Sequence, residues 1–331
     1  MQNIFIRPIM ASAILLAACF SMSAFAQPKA AAEQWPSKTV TMISPFAAGT
    51  TSDVIARIFG QGLSKVLNVP VIVENKVGAS GNIGMAQFAK AAPDGYTLAM
   101  GTITTNAINQ ALFSKLPFAL SDFYALGVVG ITPNLLVVSA NSSVKTVGDL
   151  VQMAKDKPGK LTFGSAGNGT TGQLAGELIK VRTGVDMLHA PYKDATRALT
   201  DLAGGEIDFM FYHPAAVMAL IQGGRLRPIA VSSSTRSSAA PDVIPVDQQG
   251  ISDFDLAAWW ALYAPAGLSP ELQVRLRAVT QEVLADPQVV QTLISRGFES
   301  KPLRGDEIDA YLAKEADKWA DIVKRAGARV D

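Results

Sequence analysis

The stretch Ser44-Pro45-Phe46-Ala47-Ala48-Gly49-Thr50-Thr51-Ser52-Asp53 decides the fold. It follows a β-branched, apolar run from Val40 to Ile43. It leads into Val54 to Leu67, where Val54, Ile55, Ile58, Phe59, Leu63, Val66 and Leu67 recur with helical period. Strand, small-residue turn, helix is the local plan. A helix that begins just after such a turn presents unpaired backbone N–H groups and the positive end of its dipole, with hydroxyls beside them. No bulky side chain blocks approach, so the turn can seat a small anion. The plainer reading is that Thr51 or Ser52 caps the helix. A second loop of the same kind, facing the first, would favour the anion seat.

Such a loop is present. Val69 to Glu74 reads as a second strand, Asn75 to Gly81 as a turn, Gly84 to Ala91 as a short helix, and Tyr96 to Met100 as a strand running into the hydroxyl-rich Gly101-Thr102-Ile103-Thr104-Thr105-Asn106. This alternation predicts an α/β fold with mostly parallel sheets flanked by helices. After a strand at Leu135 to Val138, Thr146 and Asp149 show the spacing of a capping box. Leu161-Thr162-Phe163 then runs into Gly164-Ser165-Ala166-Gly167-Asn168-Gly169-Thr170-Thr171-Gly172, ahead of a helix with Leu174, Ala175, Leu178 and Ile179 on one face. The opening plan thus returns roughly 115 residues later, about one domain length. Two similar α/β lobes are expected, each offering a helix N-terminus. Strands are read at Met187–Ala190, Ile207–Phe211, Leu226–Val231 and Trp259–Ala264, and two helices, Pro270–Ala285 and Asp306–Ala326, finish the chain.

Residues 1–26 stand apart from that plan. Arg7 precedes an apolar run through Ala18 to Phe20 that closes on Ala24-Phe25-Ala26, the small-x-small pattern of a secretory cleavage site, so export to the periplasm is expected. Leu16-Ala17-Ala18-Cys19 also reads as a lipoprotein box, but the apolar Phe20, Met22 and Phe25 that follow favour cleavage after Ala26. Cys19 is the only cysteine, so the exported chain has no disulfide, thiolate chemistry or cysteine metal site. The 331 residues carry 29 Lys and Arg against 28 acids, and the signal removes one base and no acid. A neutral chain with interspersed charges lacks the basic footprint of a nucleic-acid binder.

Several chemistries fail on their residues. Gly167 to Gly172 matches the dinucleotide fingerprint, yet Asp186 precedes the next strand instead of ending it, so no cofactor is expected. A secreted serine hydrolase could assemble Ser165, His189 or His213, and Asp208, but Phe163 stands where a nucleophile elbow needs its first glycine. Two dispersed histidines give no metal-ligand spacing. His189 inside an apolar strand reads as core or supporting, His213 as the better pocket candidate, and Trp259 and Trp260 as core.

Trp35-Pro36-Ser37-Lys38, Pro45 to Gly49 with Asp53, Val73-Glu74-Asn75-Lys76 with Gly78, Pro93 to Leu98, Gly164 to Thr170, Pro191-Tyr192-Lys193 and Ala264 to Gly267 together resemble the Bug family of periplasmic solute receptors, the substrate-binding proteins of tripartite tricarboxylate transporters. The resemblance covers nearly the whole exported chain in order. It implies a two-lobed Venus flytrap of the type II periplasmic-binding-protein fold, with residues 27–130 and 253–331 in one lobe, 131–252 in the other, and crossings near Ile131 and Asp253. It implies no catalysis: a monomer binds a dicarboxylate, tricarboxylate, acidic amino acid or aromatic acid between the lobes and delivers it to permease subunits in the membrane. Carried over by position, the first lobe contributes Phe46, Ala47, Ala48, Gly49, Thr50 and Asp53, with Thr102 and Thr104 nearby. The second contributes Ser165, Ala166, Gly167, Thr170, Tyr192, Lys193, Asp194, Tyr212 and His213. Three departures bear on the ligand: Thr50 stands where the family has a second glycine, Asp194 where it has glycine, and Tyr212-His213 where an acid or amide is common.

Overall fold

The computed structural model describes residues 35–192 and 195–327. The export signal with Cys19, and the site candidates Lys193 and Asp194, lie outside the described residues. Strand β1 (Val40–Ser44) leads through the opening turn into helix α1 (Thr51–Leu67), followed by β2 (Val71–Asn75), α2 (Asn82–Phe88) and β3 (Thr97–Thr102). A π-helical turn, Thr104–Ile108, and the short α3 (Asn109–Leu112) precede a long β4 (Phe123–Pro133). Next come β5 (Leu135–Ser139), α4 (Val147–Asp156), β6 (Thr162–Ser165), α5 (Thr171–Thr183), β7 (Leu188–Pro191), α6 (Ala195–Gly204), β8 (Phe209–Tyr212), α7 (Pro214–Gln222) and β9 (Leu226–Val231). The chain ends with β10 (Ala257–Pro265), α8 (Pro270–Ala285), α9 (Pro287–Ser295) and α10 (Asp306–Arg325).

Two five-stranded sheets result, in the orders β2-β1-β3-β10-β4 and β7-β6-β8-β5-β9. In the first, β1 is parallel to β2 and β3, while β10 is antiparallel to β3 and β4. In the second, β6 is parallel to β7 and β8, while β5 is antiparallel to β8 and β9. Each sheet therefore has one strand reversed among four that agree. The central strands are apolar on both faces because helices cover both, whereas edge strand β2 alternates, leaving Ile72 and Glu74 exposed.

The chain leaves the first sheet at Asn134, between β4 and β5, and returns through the segment from Ser232 to Leu256. Ser232 ties these crossings together. Asn134 N–H donates to Ser232 Oγ at 2.8 Å, Ser232 N–H to Asn134 C=O at 2.9 Å, and Leu256 N–H to Ser232 C=O at 2.8 Å.

Differences from the sequence reading have local causes. β4 was not read as a strand because Gly127, Gly130 and Pro133 break its apolar pattern. The glycines are needed there, since a Cβ would lie 2.8 Å from Thr280 at Gly127 and 3.0 Å from Ile55 at Gly130. The chain ends in three helices, not two: Asp286 closes α8 and caps α9, accepting from Gln288 N–H at 2.8 Å with Pro287 in the first turn. Helices α6 and α7 were also missed.

Candidate functional site

Two helix N-termini are built to one pattern. In the first loop Thr50 is the N-cap of α1, in place of the expected Thr51 or Ser52. Its Oγ1 accepts from Asp53 N–H at 3.4 Å and donates to Ala47 C=O at 2.7 Å, while Gly49 N–H donates back to Asp53 Oδ2 at 2.9 Å. In the second, Thr170 caps α5: its Oγ1 accepts from Gln173 N–H at 3.4 Å and donates to Gly167 C=O at 2.8 Å, while Gly169 N–H donates to Gln173 Oε1 at 2.7 Å. Gly49-Thr50-Thr51 with Asp53 and Gly169-Thr170-Thr171 with Gln173 are thus equivalent. Both glycines have positive φ, 81° and 74°.

This wiring corrects the opening expectation. Gly49 N–H and both threonine hydroxyls are spent inside their loops, which leaves the first-turn N–H groups of Thr51 and Ser52, and of Thr171 and Gly172, without intrahelical partners. All four residues line one cleft of about 650 Å³ between the two sheets. The cleft wall also carries Thr102, Thr104 and Thr196, with Phe46, Tyr212, His213 and Trp260 as aromatic surface, and no charged side chain lines it among the described residues.

Of the candidates, Phe46, Ala47, Ala48, Gly49, Thr50, Thr102, Thr104, Ala166, Thr170, Tyr212 and His213 line the cleft. Asp53, Ser165, Gly167 and Tyr192 are not among its lining residues. Asp53 is buried behind the loop, bonded to Arg57 and Asn75 as well as Gly49. Burial opposes its charge, but the hydrogen bonds from Arg57, Gly49 and Asn75 outweigh it and hold the carboxyl below its ordinary pKa. Tyr192 is turned away, its hydroxyl donating to Asp201 Oδ2 at 3.0 Å.

Ser165 is fully buried at the end of β6. Its Oγ lies 2.7 Å from His189 Nε2, donates to Gly167 C=O at 3.0 Å and accepts from Gly167 N–H at 3.2 Å. Asp208, the acid a hydrolase would need, accepts instead from Thr162 N–H and Oγ1. The serine–histidine contact therefore braces the turn at Gly167, with His189 stacked on Phe163 at 5.0 Å. Burial, then the Lys180 charge, lowers the His189 pKa to about 4, and burial lowers His213 to about 4.

Sequence reasoning missed Thr51, Ser52, Thr171, Gly172 and Trp260. Adjacent strand residues face opposite sides, and Trp259 and Trp260 are both buried as expected, at 0% and 3% exposure, but the second also borders the cleft. Trp259 is fully buried, whereas Trp260 turns its ring to the cleft and donates from Nε1 to Ser52 Oγ at 2.9 Å. Among the described residues no group of three or more His, Cys, Asp or Glu could hold a metal ion, and no helix is long and apolar enough to cross a membrane.

Residues 55–328 match the model of the tripartite tricarboxylate transporter family receptor. Protein BugT of Bordetella pertussis is 32% identical over 301 residues, spanning 90% of this chain and 92% of BugT. Among solved structures, R. palustris Rpa4515 with adipate superposes with a TM-score of 0.83 at 30% identity, covering 89% of this chain and 100% of that one. MatC (Rpa3494) from Rhodopseudomonas palustris with bound malate gives a TM-score of 0.77 at 26% identity, covering 87% and 100%.

Proposed function

The chain belongs to the tripartite tricarboxylate transporter receptor family, whose members are solute receptors and not enzymes, and on that premise we propose that it captures a small organic carboxylate between two closing lobes and delivers it to a tripartite permease. The observation that carries this reading is the pair of like-built helix N-termini opening on one cleft, with four first-turn N–H groups and, among the described residues, no charged side chain lining it. Backbone N–H groups and helix dipoles stabilise an anion without a cation, and they do so most strongly where closure excludes water. The aromatic surface of Phe46, Tyr212 and Trp260 suits the carbon body of the acid. Adipate in Rpa4515 and malate in MatC are acids of the size this volume admits. In this reading residues 27–130 with 253–331 form one lobe and 131–252 the other, and the receptor works as a monomer in the periplasm.

A thermal-shift panel of di-, tri- and aromatic carboxylates tests it. An acid present at about 100 times its dissociation constant stabilises a receptor by roughly 2.7 kcal/mol. With an unfolding entropy of about 2.1 cal/mol/K per residue, the melting point of a chain of this size then rises by roughly 4 °C. A panel in which no acid shifts the melting point refutes the carboxylate reading.

A further inference from the structure

Ser52 and Thr171 sit in the first turns of the two facing helices, and each hydroxyl receives a hydrogen bond from a buried donor behind it. Trp260 Nε1–H donates to Ser52 Oγ at 2.9 Å, and Asn134 Nδ2–H donates to Thr171 Oγ1 at 3.0 Å. An indole N–H can only donate, so the direction of the Ser52 bond is fixed. The proton on Ser52 Oγ must then point elsewhere. No described residue accepts it, nor the Thr171 proton, and both residues line the cleft.

We propose that Trp260 and Asn134 are positioning residues that commit Ser52 and Thr171 to donate into the cleft, so that the site selects a group with hydrogen bonds to accept and none to give, a carboxylate over its neutral amide. The inference rests on the carboxylate reading above and deepens it. A free hydroxyl is donor and acceptor at once and rotates to suit either partner, so it discriminates poorly. With one of its two lone pairs filled from behind, the hydroxyl keeps its proton for the ligand and loses half of its accepting capacity, and each bond in the relay from indole to hydroxyl to carboxylate polarises the next. Both positioning groups are held firmly. Trp260 is 3% exposed, with edge-on contacts to His213 at 5.5 Å and Phe298 at 5.3 Å. Asn134 is fixed through its backbone to Ser232 at the crossing between the sheets. The same device therefore serves both helix N-termini, once from β10 and once from the crossing between β4 and β5.

Trp260→Phe keeps the ring and removes the N–H. The wild-type chain, Trp260→Phe, Ser52→Ala and the double variant are titrated calorimetrically with malate, adipate and benzoate, and with the primary amide of whichever acid binds best. Trp260→Phe is expected to weaken that acid about tenfold, the scale of a hydrogen bond to a charged group, and to leave the amide nearly unchanged. Ser52→Ala should match it, and the double variant should bind no more weakly than Ser52→Ala alone. Equal losses for acid and amide, or penalties that add in the double variant, overturn the proposal. Should Trp260→Phe fail to fold by its melting curve, Ser52→Ala and Ser52→Thr decide: the acid-to-amide ratio must collapse in the first and persist in the second. A wild-type chain that binds none of the acids overturns the receptor reading and this proposal together, whereas acid binding with an unchanged ratio in Ser52→Ala overturns this proposal alone.

Discussion

Asp53 does for the α1 loop what Gln173 does for the α5 loop, but it does so with a charge. Removing Asp53 leaves the Gly49 N–H without its partner and Arg57 without its carboxylate, so Asp53→Ala should cost about 2 kcal/mol, against about 1 kcal/mol for Gln173→Ala, where only neutral bonds are lost. Urea unfolding measures both, and equal penalties would contradict the charged character assigned to the first loop. Thr50→Ala removes an N-cap worth about 1 kcal/mol, and Thr50→Ser should restore it. The histidines make a pH prediction. Both have folded pKa values lowered from 6.5 to about 4, so between those limits the unfolded chain binds more protons than the folded one. Stability is then fully present above about pH 6.5 and falls as the pH drops toward 4, by at most about 1.4 kcal/mol per pH unit per fully buried histidine. Both histidines are only partly buried, His213 at the cleft wall, so each contributes less than that limit. The chain has only two histidines, and Asp53, with its lowered pKa, loses its contribution only at lower pH. Unfolding free energies at pH 6.5 and 5.0 should therefore differ in the wild type and converge when both histidines are replaced by glutamine.

At the scale of elements, the two N-termini are alike in wiring and unlike in support. Ser52 in α1 carries a side chain, but its counterpart Gly172 cannot, because a Cβ there would lie 2.5 Å from the backbone oxygen of Phe211 in β8. Helix α5 thus begins pressed against a strand backbone that has no room to yield. Gly172→Ala should push α5 off β8, cost roughly 1–3 kcal/mol as other overpacking does, and weaken ligand binding at least tenfold by displacing two N–H groups. Gly49→Ala meets nothing within 4 Å and is strained only by its φ of 81°, so its effect on binding should be the smaller. Calorimetric titration of the two variants ranks them, and the reverse order would show that the first loop is the more constrained. These loops were legible in the sequence because strand, Gly-Thr-Thr and helical period are all local signals. Which residues face the ligand was less so. Ser165 and Gly167 read as part of the seat, yet β6 pairs as far as Ser165, opposite Pro191, and so draws that hydroxyl inside. Conversely, Ser52 read as a turn or cap residue and Thr171 as part of the second loop, and only the approach of Trp260 and Asn134 from distant segments marks them. Such contacts follow from tertiary placement that no period encodes.

At the scale of the molecule, the α/β class and the doubling of the plan came from patterns spread along the chain, while the reversed strands β5 and β10 follow from how the chain crosses between sheets. Those crossings decide what motion is available. Ser232 accepts from Asn134 N–H, donates its own N–H to the Asn134 carbonyl and is bonded to Leu256, so the outgoing and returning segments are held side by side and bend together. The C-terminal helix α10 packs mainly on residues 104–112 and to an equal, smaller extent on β4 and α5, so it meets both halves of the molecule. In the proposed closure, a hinge near Asn134, Ser232 and Leu256 would convert ligand contacts at Ser52 and Thr171 into rotation of one sheet layer toward the other. Saturating carboxylate should therefore lower the radius of gyration measured by small-angle scattering, and the decrease should be lost in Gly172→Ala, whose displaced helix cannot complete the second half of the seat. Ser232→Ala gives the complementary result. It leaves the buried Asn134 N–H unpaired at a cost of roughly 1–3 kcal/mol in stability. Because it reaches the proposed seat only through Asn134, acid affinity should change less than in Gly172→Ala. A scattering curve that saturating ligand leaves unchanged, in a chain shown by calorimetry to bind it, would mean that the cleft fills without closing and that presentation to the permease depends on another surface.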